Sequence, residues 1–305
     1  MNKLKAILAA AAVIFTVAAC GGDDDDIVYG GSSGGGNVPT TLKERDAEKR
    51  LEVPARKSSN IFVSHWTVEG KDSVMNSCYE YDKKAYHTRW VAYRFDGITS
   101  KVGTGRSNEW GEDPKLVKAG ISIGDGYFSG YQRGHICPSA DRVYSVDANV
   151  QTFYTSNMSP QNGVFNPGLW AKHEEFVRNL GRRCYSQNSS NYSKRFADTL
   201  YVVKGGTIND GNTLGTTYFT SSKNYKVTIP KYYFVALLKV RGGIYNAVGF
   251  LFEHKSSDTD PNFNAFDYAM SIDELESFTG IDFFANLPDK TEISIENAYA
   301  ESAWK

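Results

Sequence analysis

Two long β-type runs, 232–240 and 244–252, carry almost continuous apolar sequence, and two further β-type runs lie at 199–206 and 226–230. A strand with one wet face alternates apolar and polar residues, whereas a near-continuous apolar run predicts a strand buried on both faces. Shorter β-type stretches precede them at 61–63, 78–81 and 89–95. In the last of these, Trp90, Ala92 and Arg94 share one face and Val91, Tyr93 and Phe95 the other. Helices are predicted at 146–153, 167–180 and 271–278. For the third, Ser271 is the N-cap, Glu274 its capping-box partner, and Gly280 lies just past the end, where a left-handed residue is usual. Strands with few helices indicate an α+β fold.

A chain of 305 residues with 41% hydrophobic and 13% aromatic content can bury a sizeable core, which excludes global disorder. Residues 1–54 hold 6 Lys/Arg and 8 Asp/Glu, leaving 28 and 27 for the remainder. A body this close to neutral gives no bulk electrostatic case for nucleic acid, so any polyanion site must be a local basic cleft.

The first 20 residues read as a targeting segment. Lys3 and Lys5 precede an apolar run, 7–17, that is too short for a comfortable membrane span. Val17-Ala18-Ala19-Cys20 resembles the lipobox of bacterial lipoproteins, which implies cleavage before Cys20 and lipidation of its sulfur. The alternative is an ordinary secretory peptide with an incidental cysteine. Four aspartates follow at 23–26. They resemble the export signal of surface-exposed lipoproteins, and read equally well as a solvated linker. The expected localisation is therefore extracytoplasmic, lipid-anchored to a bacterial membrane, with the outer-membrane cell surface as a further destination. The expected organisation is a signal peptide (1–20), a flexible tether (21–55) with a short polar helix near 41–53, one folded domain (56–290) and a C-terminal tail (291–305). Cys78, Cys137 and Cys184 remain after processing. They allow one disulfide in three alternative pairings, and none has the CxxC spacing of a structural zinc site.

Residues 131–142 (YQRGHICPSADR) place His135 two residues after Arg133, and 156–162 (SNMSPQN) and then Phe165-Asn166 follow closely. Asn166-Pro167 is a good helix start, with Asn as N-cap and Pro at the first helical position. Trp170, Glu174 and Arg178 then recur at four-residue steps, so Asn166, Glu174 and Arg178 can face one cleft while Glu175 faces elsewhere. This set suits phosphodiester hydrolysis. The attacking water needs a base that is neutral near pH 7, which histidine supplies. The pentacovalent phosphorane carries extra negative charge, which arginines and a divalent metal can stabilise. Magnesium takes oxygen ligands and keeps most of its waters, so one Asn carbonyl and one carboxylate suffice.

These segments, with 165–170 (FNPGLW), 90–93 (WVAY), 227–230 (VTIP) and 273–284 (DELESFTGIDFF), resemble the DNA/RNA non-specific endonuclease family in order and spacing over roughly residues 60–287. The resemblance implies a mixed, mainly antiparallel central sheet with flanking helices and a ββα-metal active site. It implies a Mg²⁺-dependent enzyme, Mn²⁺ substituting, that hydrolyses DNA and RNA and leaves 5′-phosphate ends. His135 would be the general base and Asn166 the direct metal ligand. Glu174 would bind the metal or its water, Arg133 and Arg178 the scissile phosphate, and Asn157 would shape the site or hold His135. Two departures stand out. The family's Asp-Arg-Gly-His begins here with Gln132, which either replaces a structural hydrogen bond or weakens the histidine as a base. Arg106, ahead of Trp110 and Asp113-Pro114, is the nearest candidate for a further phosphate-binding arginine. His65, His87, His173 and His254 are expected to be structural, and Cys137 is set aside as a nucleophile. Two other functions remain open. One is a surface lipoprotein that captures nucleic acid without cutting it, and the other is a phosphodiesterase of narrower specificity.

Overall fold

The β-type runs pair in sequence order as hairpins, and this builds most of the central sheet. The computed structural model describes residues 27–28, 40–221, 224–257 and 260–305, so the signal segment, Cys20 and about half of the tether lie outside it. Besides three two-residue strands at Ile27–Val28, Thr40–Thr41 and Tyr127–Phe128, the strands are β1 (Ile61–Glu69), β2 (Asp72–Asp82), β3 (His87–Phe95), β4 (Gln132–His135), β5 (Met158–Gln161), β6 (Thr199–Gly206), β7 (Thr213–Thr220), β8 (Asn224–Pro230), β9 (Tyr232–Arg241), β10 (Ile244–Glu253) and β11 (Ala269–Met270). Seven of them form one sheet in the order β11-β10-β9-β6-β3-β2-β1. Every pairing in it is antiparallel, so the mainly antiparallel expectation holds and no parallel strand mixes in. The run at 226–230 joins a smaller sheet instead: β8 pairs with β7, and β7 with Tyr127–Phe128.

Strand alternation produces two cores. Val91, Tyr93, Phe95, Val202, Val235, Leu237 and Phe250 point to one side, where Trp170, Val177 and Leu180 cover them. Trp90, Ala92, Val203, Phe234, Ala236 and Leu238 point to the other, against Ile272, Leu275, Phe283 and Phe284. At about 25 cal/mol per Å² of apolar area, each face is a large favourable term. The helices are α1 (Leu42–Glu48), α2 (Pro114–Lys118), α3 (Val146–Gln151), α4 (Ala171–Gly181), α5 (Ile272–Thr279) and α6 (Asp289–Glu296). In α5 the Ser271–Glu274 capping box is reciprocal and Gly280 closes the helix at φ 64°.

The segments on either side of the expected domain pack onto it. The expected tether is folded from residue 42 onward. Ala47 and Val53 are buried beside Phe62 and Cys78, and Asn286 Nδ2 donates to the carbonyls of Glu48 and Arg50. The expected tail likewise packs. It contributes most of α6 and a terminal turn whose Trp304 is 2% exposed against Phe196. In both segments a few apolar residues in a polar sequence find a sheet face or edge that lies far away in the chain. Cys78, Cys137 and Cys184 are buried free thiols, so none of the three possible disulfides is present among them.

Candidate active site

β4 and β5 form an isolated two-stranded ladder that pairs Gln132 with Gln161 and His135 with Met158. Asn157, just ahead of β5, fixes the chain where it leaves β4. Its Oδ1 accepts from the Cys137 N–H at 2.8 Å, and its Nδ2 donates to the carbonyls of Cys137 at 2.9 Å and Thr152 at 2.8 Å. Asn157 is 6% exposed, so it positions the His135 segment from below. Cys137 is buried, and burial pushes its thiol up to about 12, which withholds the thiolate a nucleophile needs.

The helical limb after β5 is not the regular helix that the Asn-Pro signal predicts: a wide turn spans Asn166–Trp170, and α4 begins only at Ala171. Asn162 Oδ1 accepts from the backbone N–H groups of Val164 and Phe165, at 3.0 and 2.7 Å, and the chain then makes a wide turn before α4. Trp170 N–H reaches Phe165 O at 3.1 Å across that turn, and Gly168 carries the kink at φ −95°, ψ −109°. Asn166 is therefore not the N-cap, because Asn162 already serves the first free N–H groups. The Asn166 side chain turns sideways, and its Nδ2 donates to Gln132 Oε1 at 2.8 Å. That bond fixes the amide and leaves Asn166 Oδ1 as its free acceptor.

His135 sits at the end of β4 between aromatic rings, 5.5 Å from Trp110 and 5.1 Å from Phe153. Two arginines are held by the same rings. Arg133 lies 3.6 Å over Trp110 and bonds Asp125 Oδ1 and Gly126 O, while Arg106 lies 4.7 Å over Phe153 and bonds Asn108 Oδ1. His135 Nε2 is buried and has no hydrogen-bond partner. Burial, then Arg106, then Arg133, lower the imidazole to about 3, so the ring is neutral. Glu174, partly exposed on α4, is raised to about 7. Burial dominates and Asp141 adds to it, against Lys204, Arg178 and the Trp170 indole. Glu174 in turn supports the charge of Arg106, which burial lowers, so the two share one field.

Arg178 departs from its expected free role. Its Nη1 donates to Asp141 Oδ1 at 3.1 Å, and Asp141, fully buried, also accepts from the Tyr93 hydroxyl at 2.7 Å. A buried carboxylate requires a partner, and Arg178 supplies it. Glu175 faces away as expected, lining with Lys172 and Asn179 an open groove of about 1020 Å³ on the outer side of α4.

The sequence reading missed Lys204, Trp110 and Phe153. Lys204 is fully buried on β6, its Nζ has no hydrogen-bond partner, and it lies 5.4 Å from the Trp170 ring. Burial lowers it, while Asp141 and Glu174 hold it up. The available signal was a lysine in phase with Val202 in an otherwise apolar strand. The other four histidines are structural. His87 bonds the Thr88 carbonyl and Ser159, His254 accepts from the Asn162 N–H, His65 pairs with Asp113, and His173 is packed against Phe250 and Phe252.

Residues 58–290 match the family described as DNA/RNA non-specific endonuclease. The chain belongs to that family. Among curated relatives, a nuclease of Nostoc sp. is 30% identical over 226 residues, covering 71% of this chain and 74% of that protein. Nuclease C1 of Cunninghamella echinulata is 29% identical, covering 70% and 81%. The mitochondrial nuclease EXOG of Xenopus laevis is 27% identical, and the match spans 58% of its length. A solved EndoG/EndoGI complex superposes with a TM-score of 0.52 at 16% identity, over 75% of this chain and 89% of that one, which shows the shared fold. As a member of the family the protein is a nuclease. The β4–β5 ladder followed by the turn and α4 is its ββα-metal element, with His135 on the first strand and Asn166 and Glu174 on the helical limb.

Proposed function

We propose that the protein is a magnesium-dependent endonuclease acting on both DNA and RNA, with His135 as general base, and that it works outside the cytoplasm, anchored by a lipid on Cys20. The observation that carries the catalytic part is the unpartnered Nε2 of His135, which is buried beside the guanidinium groups of Arg106 and Arg133. The anchoring rests on Val17-Ala18-Ala19-Cys20 alone.

The donor set fits a hard cation. Asn166 Oδ1 is an oriented neutral oxygen, and Glu174 is a carboxylate whose raised position reflects charge without enough compensation. These two residues would hold Mg²⁺, with Mn²⁺ as substitute. A bound dication there supplies positive charge against the charge that develops on the phosphorane. His135 Nε2 takes the proton of a water that attacks phosphorus. Arg106 and Arg133 grip the non-bridging oxygens, and the P–O3′ bond breaks to leave a 5′-phosphate and an O3′ that takes up a proton from solvent. A base near 3 is weak while the arginines face it alone. Burial is the larger cause of that depression, and a phosphate seated between the arginines cancels their share of it and so raises His135 toward the range useful for catalysis.

The test is digestion of plasmid and RNA by the full chain with Mg²⁺, with EDTA, and with His135→Ala. Metal-dependent cleavage of both substrates, lost in the variant, is the expected result. Intact nucleic acid with Mg²⁺ and Mn²⁺ from folded protein overturns the reading. For the anchor, Cys20→Ala is expected to move the protein from the membrane fraction to the soluble one, and unchanged partition refutes it.

A further inference from the structure

On the sheet face away from His135, three carboxylates converge. Asp273 and Glu276 lie three residues apart on α5, hence on one helix face, and Glu296 ends α6. One ligand oxygen from each lies within 4.8 Å of the others. Among the described residues no lysine or arginine forms an ion pair with any of the three. Glu296 is 6% exposed, and its Oε1 is buried without a hydrogen-bond partner. A buried carboxylate left without either a proton donor or a cation is costly, and here it faces two more carboxylates.

We propose that Asp273, Glu276 and Glu296 form a second divalent-cation site, one that takes calcium and clamps α5 to α6. Two ligands of one ion can stand no further apart than twice the bond length. The three oxygens, all within 4.8 Å of one another, meet calcium's limit of about 5 Å as they stand, whereas magnesium's limit of about 4 Å and its strict octahedron set a narrower demand. The site is partly pre-organised, because Glu276 Oε1 accepts from the Phe283 N–H at 2.7 Å, which fixes that side chain. Asp282 and Glu292 add negative field at both Glu276 and Glu296. Burial and this crowding of acids push Glu276 up to about 7 and Glu296 to about 8, as expected of carboxylates waiting for a counter-charge. The clamp acts on the segment that ends in buried Trp304, and so joins the C-terminus to the domain.

The experiment is thermal unfolding and calorimetric titration of the full chain with calcium chloride. The comparisons are Asn166→Ala, which removes the proposed catalytic ligand, and the double variant Glu276→Gln/Glu296→Gln. At a hundredfold excess of calcium over its Kd, the wild type and Asn166→Ala are both expected to gain about 5–10 °C in Tm. The double variant gains nothing, and its calcium-free Tm is at or above that of the wild type, because its acids no longer repel. Asp273→Asn, at an exposed position, weakens calcium binding without loss of fold and replaces the double variant if that one misfolds. An equal calcium response in the double variant, or no response in Asn166→Ala, overturns the proposal. An equal response to magnesium overturns the choice of calcium. Melting reads this site independently of nuclease activity, so failure of either assignment leaves the other standing.

Discussion

The Gln132–Asn166 hydrogen bond gives the departure from the family's Asp-Arg-Gly-His a specific meaning. Gln132 Oε1 accepts from Asn166, so this position orients the proposed metal ligand, and a neutral amide oxygen serves as well as a carboxylate. Partners that orient a ligand typically govern metal affinity by 10–100-fold. Gln132→Leu is therefore expected to raise the Mg²⁺ concentration for half-maximal activity by about that factor, with kcat at saturating Mg²⁺ largely kept, while Gln132→Asp restores affinity. Magnesium titrations of cleavage rate read both variants. A fall in kcat at all Mg²⁺ concentrations would show instead that Gln132 acts on His135. The imidazole itself gives a second prediction at this scale. Its folded position, about 3, lies below its ordinary 6.5. As pH falls below 6.5 the unfolded chain takes up a proton that the folded one refuses, so this residue costs stability progressively from about pH 6.5 down toward 3. The wild type should lose more Tm between pH 7 and 4.5 than His135→Asn does. Parallel Tm-versus-pH curves for the two would refute the depressed imidazole. These groups were legible because β4, β5, the wide turn and α4 follow in chain order within one stretch interrupted only by α3 and short turns, and side-chain phases within each element follow from local chain geometry. Lys204 comes from elsewhere in the chain, and pairing of Asp141 with Arg178 required a tertiary contact that spacing does not encode.

Among the elements, the β4–β5 ladder is the most sensitive to volume. A Cβ added at Gly134 would meet Gln161 Oε1 at 2.1 Å and Cδ at 2.2 Å, and Gln161 is fully buried. The clash cannot be relieved outward, so Gly134→Ala should destabilise by about 1–3 kcal/mol and displace its neighbour His135. Denaturant unfolding combined with kcat checks it. A variant with wild-type stability and wild-type kcat would mean that Gln161 yields without moving the strand. Elements built from local signals, such as the Ser271–Gly280 helix and the two-faced strand at 89–95, were readable in advance. The start of α4 was not. Asn162 and Asn166 both carry cap chemistry, and only the pull of Gln132 on Asn166 decides which one caps. The packing of α1 and α6 was equally hidden, because each buries only a few apolar residues in a polar sequence.

For the whole molecule, the decisive fact is a formal net charge of −1. Long-range attraction to a polyanion is absent, so affinity must arise from the few cations that meet phosphate. Three arginines belong to the candidate site, but they are not equivalent. Arg178 is 24% exposed at its side chain and bound to the buried Asp141, whereas Arg106 has only an asparagine partner and Arg133 a half-exposed aspartate. For duplex DNA, log K falls against log salt with a slope of about 0.9 per phosphate neutralised. Arg106 and Arg133 together then give a slope near 2, and Arg178 adds little. Single alanine substitutions at Arg106 or Arg133 should each lower the slope by about 1. Arg178→Ala should leave the slope intact and lower Tm, because it strands the Asp141 carboxylate in the core. Binding of duplex DNA measured in EDTA across a salt series, with a melt of each variant, separates the two behaviours. If Arg178→Ala reduces the slope as much as Arg106→Ala does, its guanidinium leaves Asp141 to meet the phosphate, and the pair in the free protein is a resting contact that substrate displaces.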